Sequence, residues 1–170
     1  MLLELSHIRR AEEHVERIVP PSELEGEDNA YRAVEPAQLA FGVQKQKDAF
    51  RLTGSVRSTL GLTCSRCLEP FRFPVEVSFD QRYLPQADAS GDVDREVETV
   101  ELDASFYRDE QIDLGELVRE QFYLVLPMKP LCTDACHGLC SQCGTNLNTS
   151  ACGCTFTWDD PRLAPLKKFR

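Results

Sequence analysis

The chain has 170 residues, 42% hydrophobic and 28% charged, a composition that allows one main core with a small appendage. Its formal net charge of −9 argues against a uniformly basic nucleic-acid binder and restricts any RNA contact to a local basic face. No apolar run is long enough to span a bilayer, and "MLLELSHIRRAEEHVERIV" has no apolar signal core, so the expectation is a cytoplasmic protein with no membrane partner.

Taken in chain order, "LLEL" reads as a short strand. "HIRRAEEHVERIV" fits a helix through Ile8, Ala11, Val15 and Ile18, and its end, "HVERIV", also fits an edge strand. Pro20 and Pro21 stop either one. "PAQLAFGV" alternates, with Ala37, Leu39, Phe41 and Val43 on one face. "FRLTGSVRSTLGL" places Phe50, Leu52, Val56, Leu60 and Leu62 on one face and Arg51, Thr53, Ser55, Arg57 and Thr59 on the other. That is the pattern of a half-buried antiparallel strand. "FRFPVEVSF" repeats it with Phe71, Phe73, Val75, Val77 and Phe79, and Pro74 on the solvent side suggests an edge or a bulge.

"LPQADASGDVDREVE" is an acidic loop, and "VETVELD" is a candidate further strand. "IDLGELVREQFYLVLP" is a helix with Asp113 and Glu116 as a capping box. Its apolar stripe runs through Leu114, Leu117, Val118 and Leu124/Val125, interrupted at Gln121. The expected fold class is α+β: an antiparallel β-sheet with one main helix and a cysteine-rich, zinc-stapled C-terminal segment. The expected domains are 1–131, sheet and helix with the acidic loop, and 132–170, a metal-binding tail packed on it.

The eight cysteines form four pairs: Cys64 with Cys67, Cys132 with Cys136, Cys140 with Cys143, and Cys152 with Cys154. In a reducing compartment this favours metal over disulfides, which stay as the alternative. Zinc takes four thiolates in a tetrahedron, and a Cys-x-x-Cys-Gly turn such as "CSQCG" aims backbone amides at them. Four pairs make two zinc ions. The preferred partition joins Cys140, Cys143, Cys152 and Cys154 on one ion and Cys64, Cys67, Cys132 and Cys136 on the other. A single site with spare thiols is the simpler rival. An iron–sulfur cluster uses the same ligands, but the ferredoxin spacings are missing. A redox dithiol needs an exposed pair near a helix start, whereas Cys64–Cys67 precedes a strand. His137 could replace a cysteine, although a solvent-facing role suits it better. Plentiful thiolates point to a structural site, and no catalytic motif accompanies them.

"GSVRSTLGLTCSRCLEPFRFPV", "IDLGELVREQFYLVLPMKPLC", "CHGLCSQCGTNLNTSACGC" and "DDPRLAPLKKF", in that order, resemble the YceD family of large ribosomal RNA subunit accumulation proteins. The resemblance covers about residues 40–170. It implies a non-enzymatic ribosome-biogenesis factor. The family's motif residues fall on Cys64, Arg66, Cys67, Leu68 and Phe71. In the tail they fall on the six cysteines and on Gly138, Leu139, Gly144, Leu147, Asn148, Asp160, Pro161 and Arg162.

The expected partner is large-subunit rRNA or a pre-ribosomal particle. Residues 31–75 carry 7 basic and 3 acidic side chains, so Lys45, Lys47, Arg51, Arg57, Arg66 and Arg72 are candidates to meet phosphates. Arg162, Lys167 and Lys168 add a basic tail, together with Arg170. The ordinary alternative for scattered Arg and Lys on outward strand positions is solvation. Residues 88–120 carry 12 acidic and 3 basic side chains, which suits a second reading, a module that binds a basic ribosomal protein or assembly factor. A thiol redox enzyme is the third.

Overall fold

The computed structural model describes residues 1–8, 12–26, 30–46, 49–86 and 104–155. The acidic loop beyond Gln86, the candidate strand "VETVELD", Lys47 and the basic tail lie outside the described residues. The strands are β1 (Leu2–Glu4), β2 (Glu12–Val19), β3 (Arg32–Ala33), β4 (Ala37–Gln46), β5 (Ala49–Thr63), β6 (Pro70–Pro85), β7 (Ala104–Tyr107) and β8 (Gln111–Asp113), followed by one helix, α1 (Leu114–Val125). Single 3-10 turns cover Leu5–His7 and Pro21–Glu23. Among the described residues no helix is long and apolar enough to cross a membrane.

The chain divides into two compact units, Met1–Leu62 with Phe71–Met128, and Thr63–Pro70 with the chain from Lys129 onward. The β5–β6 connection is therefore grouped with the tail, whereas the sequence division at residue 131 placed it with the sheet. In the first unit the main sheet runs in the order β2-β4-β5-β6-β7, with β3 on β5, and β1 pairs with β8 in a separate two-stranded sheet.

The two readings of the N-terminal segment resolve in favour of strand. β2 pairs antiparallel along β4, with Val15 opposite Phe41 and Arg17 opposite Leu39. Cross-strand pairing decides what a short, ambiguous apolar pattern leaves open. β4 and β5 are antiparallel, with Leu39 opposite Val56 and Val43 opposite Leu52. Ala37, Leu39, Phe41 and Val43 alternate inward as the pattern requires, and so do Phe50, Leu52, Val56, Leu60 and Leu62.

The sheet is mixed rather than wholly antiparallel: β7 runs parallel to β6, from Arg82↔Ala104 to Pro85↔Tyr107. A parallel pair needs a long crossover connection, and the chain between Pro85 and Ala104 is long enough to supply one. β7 accompanies β6 only over that end, so Pro74 lies beyond its reach, on a solvent-exposed position.

Helix α1 begins at Asp113, whose carboxylate accepts a hydrogen bond from the Gly115 amide at 2.8 Å. Its buried face consists of Leu114, Gly115, Leu117, Val118, Gln121 and Phe122. Leu124, expected on that face, is 78% exposed, and Phe122 occupies the core in its place. Phe122 stands one turn beyond Val118 on the buried face, whereas Leu124 sits at the edge of that face in the last turn. One core cluster unites this face with Ile112 and the inner sides of β2, β4, β5 and β6. Tyr31 stands edge-on to Phe122 at 5.7 Å, and its hydroxyl donates to the Leu24 carbonyl at 2.7 Å.

Candidate metal centre

The second unit is built differently. Among its described residues the buried hydrophobic side chains are Cys64, Cys67 and Cys136, and none belongs to the core cluster. Turns close it instead. Cys64–Cys67 and Cys140–Cys143 form the same local structure, with the amide of residue 68 donating to the Cys64 carbonyl and that of residue 144 to the Cys140 carbonyl, both at 2.9 Å. Each turn ends on a left-handed residue, Leu68 at φ 60° and Gly144 at φ 72°. The Ser65 amide donates to the Pro130 carbonyl at 2.8 Å, which ties the first turn to the tail.

Residues 138–147 fold back as a small hairpin. Cys140 donates to Thr145 and Leu147 donates to Gly138, with Leu139 bridged to Asn146. Gly138 adopts φ 76°, and a Cβ there would lie 3.1 Å from the Arg66 carbonyl, which also accepts from the Leu139 amide. Close approach and left-handed backbone together account for glycine at this position.

The turns gather the cysteines into two sets of four, Cys64, Cys67, Cys132 and Cys136, and Cys140, Cys143, Cys152 and Cys154, with the sulfurs of each set within 4.8 Å of one another. The grouping matches the partition preferred from spacing. Cys64 and Cys136 Sγ are 3.8 Å apart, and Cys67 and Cys132 Sγ are 3.7 Å apart. A tetrahedron of sulfurs about 2.3 Å from a central zinc sets neighbouring sulfurs ~3.8 Å apart, so the donor set and its spacing fit such an ion. Among the described residues no histidine joins either set; His137 is exposed, and its amide donates to Asn148 Oδ1 at 2.8 Å.

Hydrogen bonds prepare part of each set as thiolate. The Cys67 amide, with those of Cys132 and Arg66, lowers Cys64 to about 6 despite burial. Burial raises Cys136, but the Asn148 side chain and the Gly138 amide outweigh it and leave that thiol lowered. The remaining two shift the other way. The Glu69 amide favours the Cys67 thiolate, yet burial and Cys64 push it up to about 12, while burial and Cys136 raise Cys132. The second set repeats the division: the Cys143 and Gln142 amides lower Cys140, and the Thr145 hydroxyl lowers Cys143 to about 6. The Cys154 amide favours a Cys152 thiolate, but Cys140 raises it overall, and Cys143 pushes Cys154 up to about 12. Four sulfurs this close repel one another once ionised, and a divalent cation among them would relieve that repulsion.

Polar residues between the cysteines support the sulfurs. Asn148 Nδ2 donates to Cys136 Sγ at 3.3 Å and to Asn146 Oδ1 at 2.9 Å, and Thr145 Oγ1 lies 3.1 Å from Cys143 Sγ. Spacing alone assigned no role to Thr145 and Asn146; their signal is the polar run "TNLN" directly after the second turn. Arg66 also serves the fold, since its Nη1 donates to the Cys136 carbonyl at 2.9 Å.

The other candidate cations are scattered and mostly paired. Arg51 makes two bonds to Asp80, at 2.7 and 2.5 Å, Arg57 bonds Glu76 at 2.5 Å, and Arg72 bonds Glu35. The Lys45 ammonium lies 5.7 Å from the centre of the Phe50 ring. Lys47, Arg162, Lys167, Lys168 and Arg170 lie outside the described residues.

Residues 52–170, including both sets of cysteines, match the family described as "Large ribosomal RNA subunit accumulation protein YceD". The chain belongs to the YceD family. It is 29% identical over 159 residues to "Large ribosomal RNA subunit accumulation protein YCED homolog 1, chloroplastic" of Zea mays, covering 78% of this chain and 53% of that protein. The Arabidopsis thaliana protein of the same name is 25% identical over 162 residues, 79% of this chain and 49% of its own. An uncharacterised Mycobacterium tuberculosis protein is 32% identical over 128 residues, 75% and 59% respectively. The chain thus spans about half the length of the curated YceD relatives it matches. No solved structure matches it.

Proposed function

We propose that the chain is a non-enzymatic ribosome-biogenesis factor that binds large-subunit rRNA or a pre-ribosomal particle, and that each cysteine set holds one zinc ion as a structural staple. Membership of the YceD family carries the first part, and the two sets of four sulfurs at tetrahedral spacing support the second. Four thiolates around one ion leave no open position for water or substrate, which is the arrangement of a structural site. Burial of Cys64 at 0% and Cys67 at 3% also disfavours thiol exchange, which needs sulfur access.

Phosphate contact falls to Arg66, Lys45 and the tail cations Arg162, Lys167 and Lys168. Arg51, Arg57 and Arg72 contribute less, because each is already matched by a carboxylate and the pair exerts little net field. The test is a salt series of filter binding with large-subunit rRNA and an unrelated RNA. Tighter, salt-sensitive binding to the former is expected, and Lys167→Gln with Lys168→Gln lowers the slope of log K against log salt by about 1.5–2. Equal, negligible affinity for both RNAs at low salt overturns direct RNA recognition, and a partner retained after nuclease treatment assigns the chain to protein contact instead. Metal content by native mass spectrometry tests the staples, with two zinc ions per chain expected.

A further inference from the structure

Away from the cysteines, the first unit carries a groove of about 590 Å³ between the ends of β6 and β7, β8 and the first turns of α1. Asp109, Asp113, Glu116 and Glu120 line it, together with Tyr83 and Phe106. Among the described lining residues Arg108 is the cation, and its guanidinium is bonded to Gln86. The Glu116 and Glu120 carboxylates make no hydrogen bond or ion pair among the described residues. They stand four residues apart on one helix, a like-charge spacing that destabilises a helix. Burial and then Glu116 raise the Glu120 pKa, and the neighbouring Arg119 offsets them only in part, so a cation in the groove would relieve the remaining repulsion.

A second observation points the same way. Tyr83 is only 6% exposed, faces this groove, and its hydroxyl has no hydrogen-bond partner among the described residues. The ring is buried while the hydroxyl opens into the groove, where its oxygen is available to a ligand's N–H. At the rim Phe106 is 55% exposed and Leu2 58%, offering apolar surface to the stem of a long side chain and a ring face to its charge.

We propose that this groove binds a lysine- or arginine-rich segment of a protein partner, with the cationic side chains donating to Glu116, Glu120 and the Tyr83 hydroxyl oxygen. Charge complementarity selects this occupant. Phosphates of RNA are repelled here by the same carboxylates. The groove is separate from the phosphate contacts proposed above and does not depend on them.

The experiment measures fluorescence anisotropy of a labelled ten-residue peptide of alternating Lys and Leu against the full metal-loaded chain, with a Glu/Leu peptide as control. Salt-sensitive binding of the basic peptide alone is expected. Glu116→Gln with Glu120→Gln should weaken it at least tenfold, and Tyr83→Phe, which removes one hydroxyl and keeps the ring, two- to fivefold. Glu16→Gln with Glu25→Gln makes the same charge change at exposed positions outside the groove and should alter affinity less than twofold. An equal loss in both double variants, or an unchanged affinity in the groove variants, overturns the proposal. Circular dichroism checks that the groove variants fold, and Tyr83→Phe supplies the deciding comparison if the double variant does not. Displacement by magnesium chloride beyond that by sodium chloride of equal ionic strength assigns the groove to a metal ion and also overturns the proposal.

Discussion

At the scale of single residues, the two Cys-x-x-Cys turns differ in one instructive way. Both need a left-handed residue after the second cysteine, and the first uses Leu68 where the second uses Gly144. A non-glycine residue in that conformation costs about 1–2 kcal/mol, and Leu68, 63% exposed, recovers little of it by packing. Leu68→Gly is therefore expected to stabilise the second unit by about 0.5–1 kcal/mol after the added chain entropy of glycine. Gly144→Ala, with open space around it, should destabilise by about 1 kcal/mol through backbone strain alone. Thermal midpoints of the metal-loaded chain measure both. Asn148 acts through a sulfur: Asn148→Ala removes one donor to Cys136 Sγ and leaves the His137 amide without its Asn148 partner, and zinc affinity by competition with a chromogenic chelator should fall about 10–100-fold. The candidate ligands were readable from spacing, and their geometric grouping matches one of the partitions spacing allowed. The left-handed Leu68 and the Asn148 bond were not, because each exists only once the turns close.

At the scale of elements, local pattern sufficed where one strand face or one cap carried the signal. The alternation in β4, β5 and β6 and the cap of α1 were legible for that reason. β2 was legible only as one of two readings, and the parallel β7 and the pairing of the arginines were not legible, since each depends on a neighbour distant in sequence; Arg51 and Asp80 are 29 residues apart. The cap makes a quantitative prediction. Burial alone would raise the Asp113 pKa, but the Gly115 amide and the Met1 ammonium outweigh it and hold the carboxyl below the usual aspartate value. A depressed native pKa adds stability that is complete above the unfolded value of about 3.9 and is lost as the pH falls below it. Asp113→Ala should therefore lower stability by about 1 kcal/mol at pH 6. In urea unfolding of both proteins, that difference should shrink between pH 4 and pH 2. A difference independent of pH would mean that side-chain packing, rather than the charged cap, is what the substitution removes.

At the scale of the whole molecule, the two units hold together by different physics. Every member of the core cluster lies in the first unit, so that unit has its own hydrophobic source of stability. The second unit buries cysteines and closes turns, which for a short chain is too little without a cross-link or a metal. If zinc supplies the difference, its binding energy is the folding energy of that unit, and a chelator should act on one unit only. In hydrogen exchange read by mass spectrometry, chelation should abolish protection within residues 129–155 while β4, β5 and α1 keep theirs. The two sites should also empty in order. Cys64, Cys67 and Cys136 are buried, whereas Cys143 and Cys154 are exposed, so a chelator reaches the second set first. Zinc release should then be biphasic, one equivalent fast and one slow. Cys143→Ser should remove the fast phase, and Cys67→Ser the slow one. A single phase of two equivalents would instead mean that the hairpin joining Cys136 to Cys140 transmits the loss of one ion to the other, making the second unit one cooperative metal-bound structure.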